Sequence, residues 1–170
     1  INNVLKRLYK TEFFEDIKIS LDTGVMNINV KEYASINSID LVGEKSNTVK
    51  EKILEQLKLQ NKESFIDSKL SEDIDLIKKI YASMGYNFAT VEAKIKKFSD
   101  NRINLTFFLD KEKKTNIAKI YFTGDKKVKE KRLIDIIVSE EKKFWKFLSK
   151  NTFLNNNNIE LDKRLLINYY

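Results

Sequence analysis

The chain has 170 residues, 42% apolar and 34% charged, with a formal net charge of +7. It holds no cysteine, histidine or proline, which excludes disulfide staples, thiolate metal sites and nucleophiles activated by an imidazole. No apolar run approaches the ~18–20 residues that span a bilayer as a helix. No secretory signal opens the chain, which starts at Ile1 and stops at Tyr170 inside a helical pattern, so it reads as a piece of something longer. The positive charge is concentrated late: residues 1–33 carry five basic and five acidic side chains, 34–114 fifteen and thirteen, and 115–170 twelve and seven. Scattered lysines of this kind usually mean a solvated basic face and leave anionic partners open.

In chain order, "VLKRLYKTEFFEDIKISL" parallels "LIKKIYASMGYNFATVEAKI" further on, with Tyr9 on Tyr81. It therefore predicts a helix end running into a strand, and "DIKISLDTGVMNINVKEY" predicts a hairpin turning at Asp22–Gly24. Ile39 and Leu41 on one face predict a strand at about 36–42. Thr48 followed by Glu51 forms a capping box that opens a helix through Ile53, Leu54 and Leu57. A second helix is predicted from about Asp67 to Met84, with Leu70, Ile74, Ile77 and Tyr81 along one face. Gly85 ends it as a left-handed residue. Val91, Ala93 and Ile95 then alternate with polar neighbours, as do Ile103, Leu105, Phe107 and Leu109, around a turn at 99–101. Residues 34–114 thus read as β-α-α-β-β.

The tetrapeptide VKEK occurs at 49–52 and again at 128–131, each time after an alternating apolar run that ends in Gly43 or Gly124. The second copy predicts a strand through Ile120, a helix through Val128, Leu133 and Ile136, a longer loop, and a second helix. In that helix Asp162, Leu166 and Tyr170 fall on Asp73, Ile77 and Tyr81. The chain is therefore α+β and tandem: the back half of one module in 1–33, a whole module in 34–114, and the front part of another in 115–170.

The pattern of strand, glycine, V-x-x-x-x-L helix, then D-I-x-x-I-x-x-x-Y-x-x-x-G-Y and a hairpin resembles the POTRA domain. It is carried by Ile39, Gly43, Val49, Leu54, Asp73, Ile77, Tyr81, Gly85 and Tyr86, and again by Ile120, Gly124, Val128 and Leu133. The likeness is to the BamA-type branch of the Omp85 family, where "LYKTEFFEDIKI" resembles the exit of the first POTRA. The TamA-type and two-partner-secretion branches remain alternatives. Two departures are Glu12 or Phe13, where that exit often has glycine, and the Asn-rich loop at 155–158.

The resemblance implies two helices packed on a three-stranded mixed sheet, one module complete and two partial. It places the chain on the periplasmic side of the outer membrane, joined to the membrane only through a C-terminal barrel that this sequence does not contain. Partners so implied are unfolded outer-membrane proteins, Bam-type lipoproteins and periplasmic chaperones, with clients added to a sheet edge by β-augmentation. The implied edge strand is Val91, Glu92, Ala93, Lys94, Ile95, Lys96 and Lys97; the corresponding strand Ile17–Leu21 is an equal candidate. Edge lysines also serve simply to prevent edge-to-edge aggregation.

Other features are read beside their structural alternatives. Phe144, Trp145 and Phe147 in "KKFWKFL" could contact a partner, though such a loop more often folds its aromatics onto its own helices. The same stretch is too short an apolar face for a membrane-surface helix. The run "SEDID" at 71–75 is explained by a helix dipole without a metal. No phosphate-cradling glycine loop exists and nothing positions a Ser-Lys pair, so neither enzymatic activity nor a cofactor is expected. From a different class, a basic nucleic-acid-binding module is the alternative. Because the first and last parts are complementary in kind, two copies are expected to be able to swap halves in a domain-swapped dimer.

Overall fold

The computed structural model describes residues 2–124, 127–143 and 149–170. The elements are α1 (Asn2–Tyr9), β1 (Phe14–Asp22), β2 (Val25–Glu32), β3 (Ser35–Val42), α2 (Asn47–Gln56), α3 (Asp67–Ser83), β4 (Thr90–Lys97), β5 (Arg102–Asp110), α4 (Glu130–Ile134) and α5 (Asn156–Tyr169). The chain is α+β and divides into two compact units. One is Ile1–Asp75 with Glu92–Phe108, the other Leu76–Val91 with Leu109–Tyr170.

In the first unit, β1 and β2 form an antiparallel hairpin. Thr23 and Gly24 both have positive φ, 46° and 84°, as a two-residue turn that matches strand twist requires. Ile17, Ile19 and Leu21 face Val30, Ile28 and Met26, so one side of the ribbon is apolar. Between α1 and β1, Glu12 takes φ 57°, the left-handed conformation a glycine would adopt without strain.

β3, β5 and β4 form a sheet in that spatial order, with β3 parallel to β5. The register pairs Ile36 with Ile103, then Ser38 with Asn104, Ile39 with Leu105 and Leu41 with Phe107, leaving Asn37 as a bulge. That one extra residue is why the buried positions of β3 are 36, 39 and 41 and not a strict alternation. The apolar face supplies fully buried Ile36, Ile103, Leu105 and Phe107, and α2 adds Ile53. Burial of these side chains is the main force stabilising the unit.

The helix signals hold in kind and miss in one detail. The N-cap of α2 is Ser46, whose hydroxyl accepts the Val49 N–H, so Thr48 lies inside the first turn and the Thr48–Glu51 box does not form. Glu44 already accepts the N–H groups of Lys45 and Ser46, which fixes the chain two residues earlier. After α2 the chain is held by a buried carboxylate. Asp73 on α3 accepts the Lys58 N–H at 2.7 Å and the Leu59 N–H at 3.0 Å. This corrects the helix-dipole explanation of the acidic run: Asp73 pins a loop and Glu72 pairs with Lys58.

In the second unit, α3 buries Ile77 and Tyr81 completely and ends as predicted. Gly85 has φ 91°, and its N–H and that of Tyr86 bond back to Ala82 and Tyr81 carbonyls at 2.9 Å. Asp162 on α5 accepts the N–H groups of Val138 and Ser139 at 2.5 and 3.3 Å, repeating the Asp73 pin. Three expectations fail here. Residues 117–123 are not a strand; just before them Asn116 makes an isolated bridge to Phe153. A ladder needs a neighbouring strand, and here the backbone bonds elsewhere, Ile117 N–H to the Thr152 carbonyl and Ile120 N–H to the Glu141 carboxylate. The first helix of this region is only Glu130–Ile134, without Val128 or Ile136; its N-cap Lys129 offers no side-chain acceptor, which weakens its start. The Asn-rich stretch is not a loop: Asn155 caps α5 and 156–158 are its first turn.

Candidate functional site

The sheet has two margins, β3 and β4. Along the start of β3 the margin is occupied. Lys62 N–H bonds to Ile36 C=O at 2.7 Å, Ile36 N–H to Glu63 C=O at 2.9 Å, and Phe65 N–H to Ala34 C=O at 2.8 Å. Sequence patterning does not reveal this cover, since "NKESF" lacks strand alternation. Among the described residues, no backbone hydrogen bond reaches β4 from its outer side. All seven edge-strand residues expected from the sequence, Val91 to Lys97, lie on this strand.

The two faces of β4 differ. Lys94 Nζ sits 4.8 Å from the centroid of the Phe108 ring. Phe108 is on the solvent face of β5, because 103, 105, 107 and 109 are the buried positions. Glu92, Lys94 and Lys96 therefore point to solvent, and Val91, Ala93 and Ile95 share the side of the core. That side opens along the strand: Val91 is buried, Ala93 half-buried, and Ile95 37% exposed. No carboxylate among the described residues pairs with Lys94, Lys96 or Lys97. The other candidate strand, β1, is also at a margin, in its two-stranded ribbon. Phe144, Trp145 and Phe147 lie outside the described residues.

A second feature of this region has no counterpart in the sequence reading. The Asn155 side chain donates from Nδ2 to the Ser83 carbonyl at the end of α3 at 2.6 Å, while its Oδ1 accepts the Asn157 N–H at the start of α5. Asn87 Nδ2 donates to the Leu154 carbonyl at 2.8 Å, and Thr115 N–H to the Gly85 carbonyl. Phe153 packs on Gly85, where an added Cβ would stand 3.1 Å from the phenylalanine Cβ. An asparagine directly before a helical pattern is a cap signal, so half of the Asn155 role was available from the sequence.

Residues 34–112 match the model of the POTRA family, described as a surface antigen variable number repeat. Along nearly its whole length the chain is also similar to the outer membrane protein assembly factor BamA of Neisseria meningitidis serogroup B, 24% identical over 98% of this chain and 21% of that protein. The BamA of Neorickettsia risticii is 20% identical over 100% of this chain and 23% of its own. The chain thus spans about a fifth of these relatives. Among solved structures it resembles Haemophilus influenzae BamA POTRA3-5, with TM-score 0.56 and 17% identity, covering 99% of this chain and 68% of that one. That likeness concerns the fold: helices on a three-stranded mixed sheet, matching POTRA structures.

Proposed function

We propose that the chain is the periplasmic POTRA region of a BamA-type outer-membrane protein assembly factor. In this reading residues 1–33 end one module, 34–114 form a second, and 115–170 begin a third. The region scaffolds partner lipoproteins and receives unfolded β-barrel clients from periplasmic chaperones by strand addition to β4. One observation carries the reading: among the described residues the outer edge of β4 is unpaired, while the start of the opposite margin is occupied by residues 62–65. Backbone donors and acceptors are the same in every client, so an edge of this kind accepts many sequences.

Photo-crosslinkers placed singly at positions 90–97, and as controls on the exposed helix residues Asp75 and Lys79, test this with an unfolded outer-membrane barrel protein. Labelling is expected along β4 and not from the helix. Labelling confined to the helix positions counts against strand addition. Ala93→Pro, which removes one ladder donor from β4, is expected to lower capture on the edge.

A further inference from the structure

We infer that the β4 edge selects amphipathic strands with apolar side chains at one parity and carboxylates at the other, and that Lys94 and Lys96 are the selecting residues. The inference rests on strand addition at β4 and goes further by naming the side-chain chemistry of the client. A strand joining an edge continues the pleat, so its side chains fall alternately on the same two faces. On the core side it meets Val91, Ala93 and Ile95. Ile95 keeps 37% of its surface exposed, so an apolar side chain arriving beside it removes apolar area from water.

On the solvent side the newcomer meets Lys94 and Lys96 in succession. Lys94 Nζ is held above the Phe108 ring at 4.8 Å and Lys96 Nζ above the Phe98 ring at 5.4 Å. Neither ammonium has a carboxylate partner among the described residues. Ring contacts of this kind restrict the lysines yet leave their charge uncompensated. A carboxylate opposite each is stabilised across the strand pair, and a lysine there is repelled. Glu92 lies on the same face two residues before Lys94. The solvent face is therefore acidic and then basic along the strand, which also favours one register over a slip by two.

The test uses the whole 170-residue chain and four labelled peptides of about nine residues, within the usual range of strand lengths. One alternates Val with Glu, one alternates Val with Lys, one has the Val/Glu composition in two blocks, and one is the Val/Glu alternation with N-methyl groups at every second amide. Binding is read by fluorescence anisotropy. The alternating Val/Glu peptide is expected to bind about tenfold more tightly than Val/Lys, from two exposed charge pairs. The Lys94→Glu/Lys96→Glu variant, altered only at exposed positions, is expected to reverse that order. Equal binding of the Val/Glu and Val/Lys peptides, still abolished by N-methylation, overturns the selectivity and leaves strand addition standing. Equal binding of the blocked and alternating peptides also overturns it, because charge alone then suffices. If N-methylation leaves binding unchanged, or no peptide binds, strand addition itself fails and the inference with it.

Discussion

Asp73 and Asp162 each receive two backbone N–H groups from the loop that follows a helix, but among the described residues only Asp73 lies in the stretch of chain, 35–110, that forms the three-stranded sheet. Leu59 lies 14 residues before Asp73, whereas Ser139 lies 23 before Asp162. The nine-residue difference is the longer connection of the later region. Asp73 is fully buried, as are Leu105 and Phe107 of the sheet. Around Asp162 the apolar residues that resemble a strand, among them Ile117, Ile120 and Phe122, instead line an open groove of ≈ 510 Å³ with Ile159 and Leu166. The pin is therefore a device of the helix pair, made in both places without the help of a strand ladder. The sheet depends on partners distant in sequence.

The sharpest way to break this comparison is in the sheet itself. Phe107→Ala removes a fully buried ring and is expected to cost about 4 kcal/mol in urea unfolding; the Asp162 pin should survive it. Next comes Asp73→Ala, which strands two N–H donors beside a buried side chain, with an expected loss of about 3 kcal/mol. Asp162→Ala removes the same kind of bonds at a site 9% exposed, and about 2 kcal/mol is expected because water reaches the freed donors. Equal losses at both sites would mean that the sheet adds nothing to the pin. Asn155→Ala, which uncaps α5, is expected to cost about 1 kcal/mol, read as faster amide exchange in the first turn of α5. The smallest effect concerns Lys58. Its hydrogen bond to Glu72, and then the charge of that carboxylate, raise its pKa above 10.5. Any stabilisation is present at neutral pH and is lost as pH rises from 10.5 through the raised value. Both side chains are exposed, so Glu72→Gln should leave the urea midpoint at neutral pH within error.

What could be read in advance follows the same division. Alternation placed β4 and β5, and the glycines at 43, 85 and 124 all adopt positive φ, because these signals act over a few residues. The turn at Asn101, φ 57°, belongs to the same class. The strand through Ile120 failed because alternation reports a tendency to face a core and not the presence of a ladder. The Ser46 cap was missed because Thr48 and Glu51 offered an equally good local pattern, and the Glu44 contacts chose between them. The cover on β3 by residues 62–65 is a tertiary pairing without periodicity, so nothing in "NKESF" announced it. Of the candidate site, the strand and its lysines were legible. The rings beneath two of those lysines lie on β5 and in the hairpin, and became visible only with the pairing.

The amide of Asn155 holds the last turn of α3 with one end and the first turn of α5 with the other. Sliding either helix along its axis would break the bond to Ser83, so one short side chain ties the end of the first to the beginning of the second.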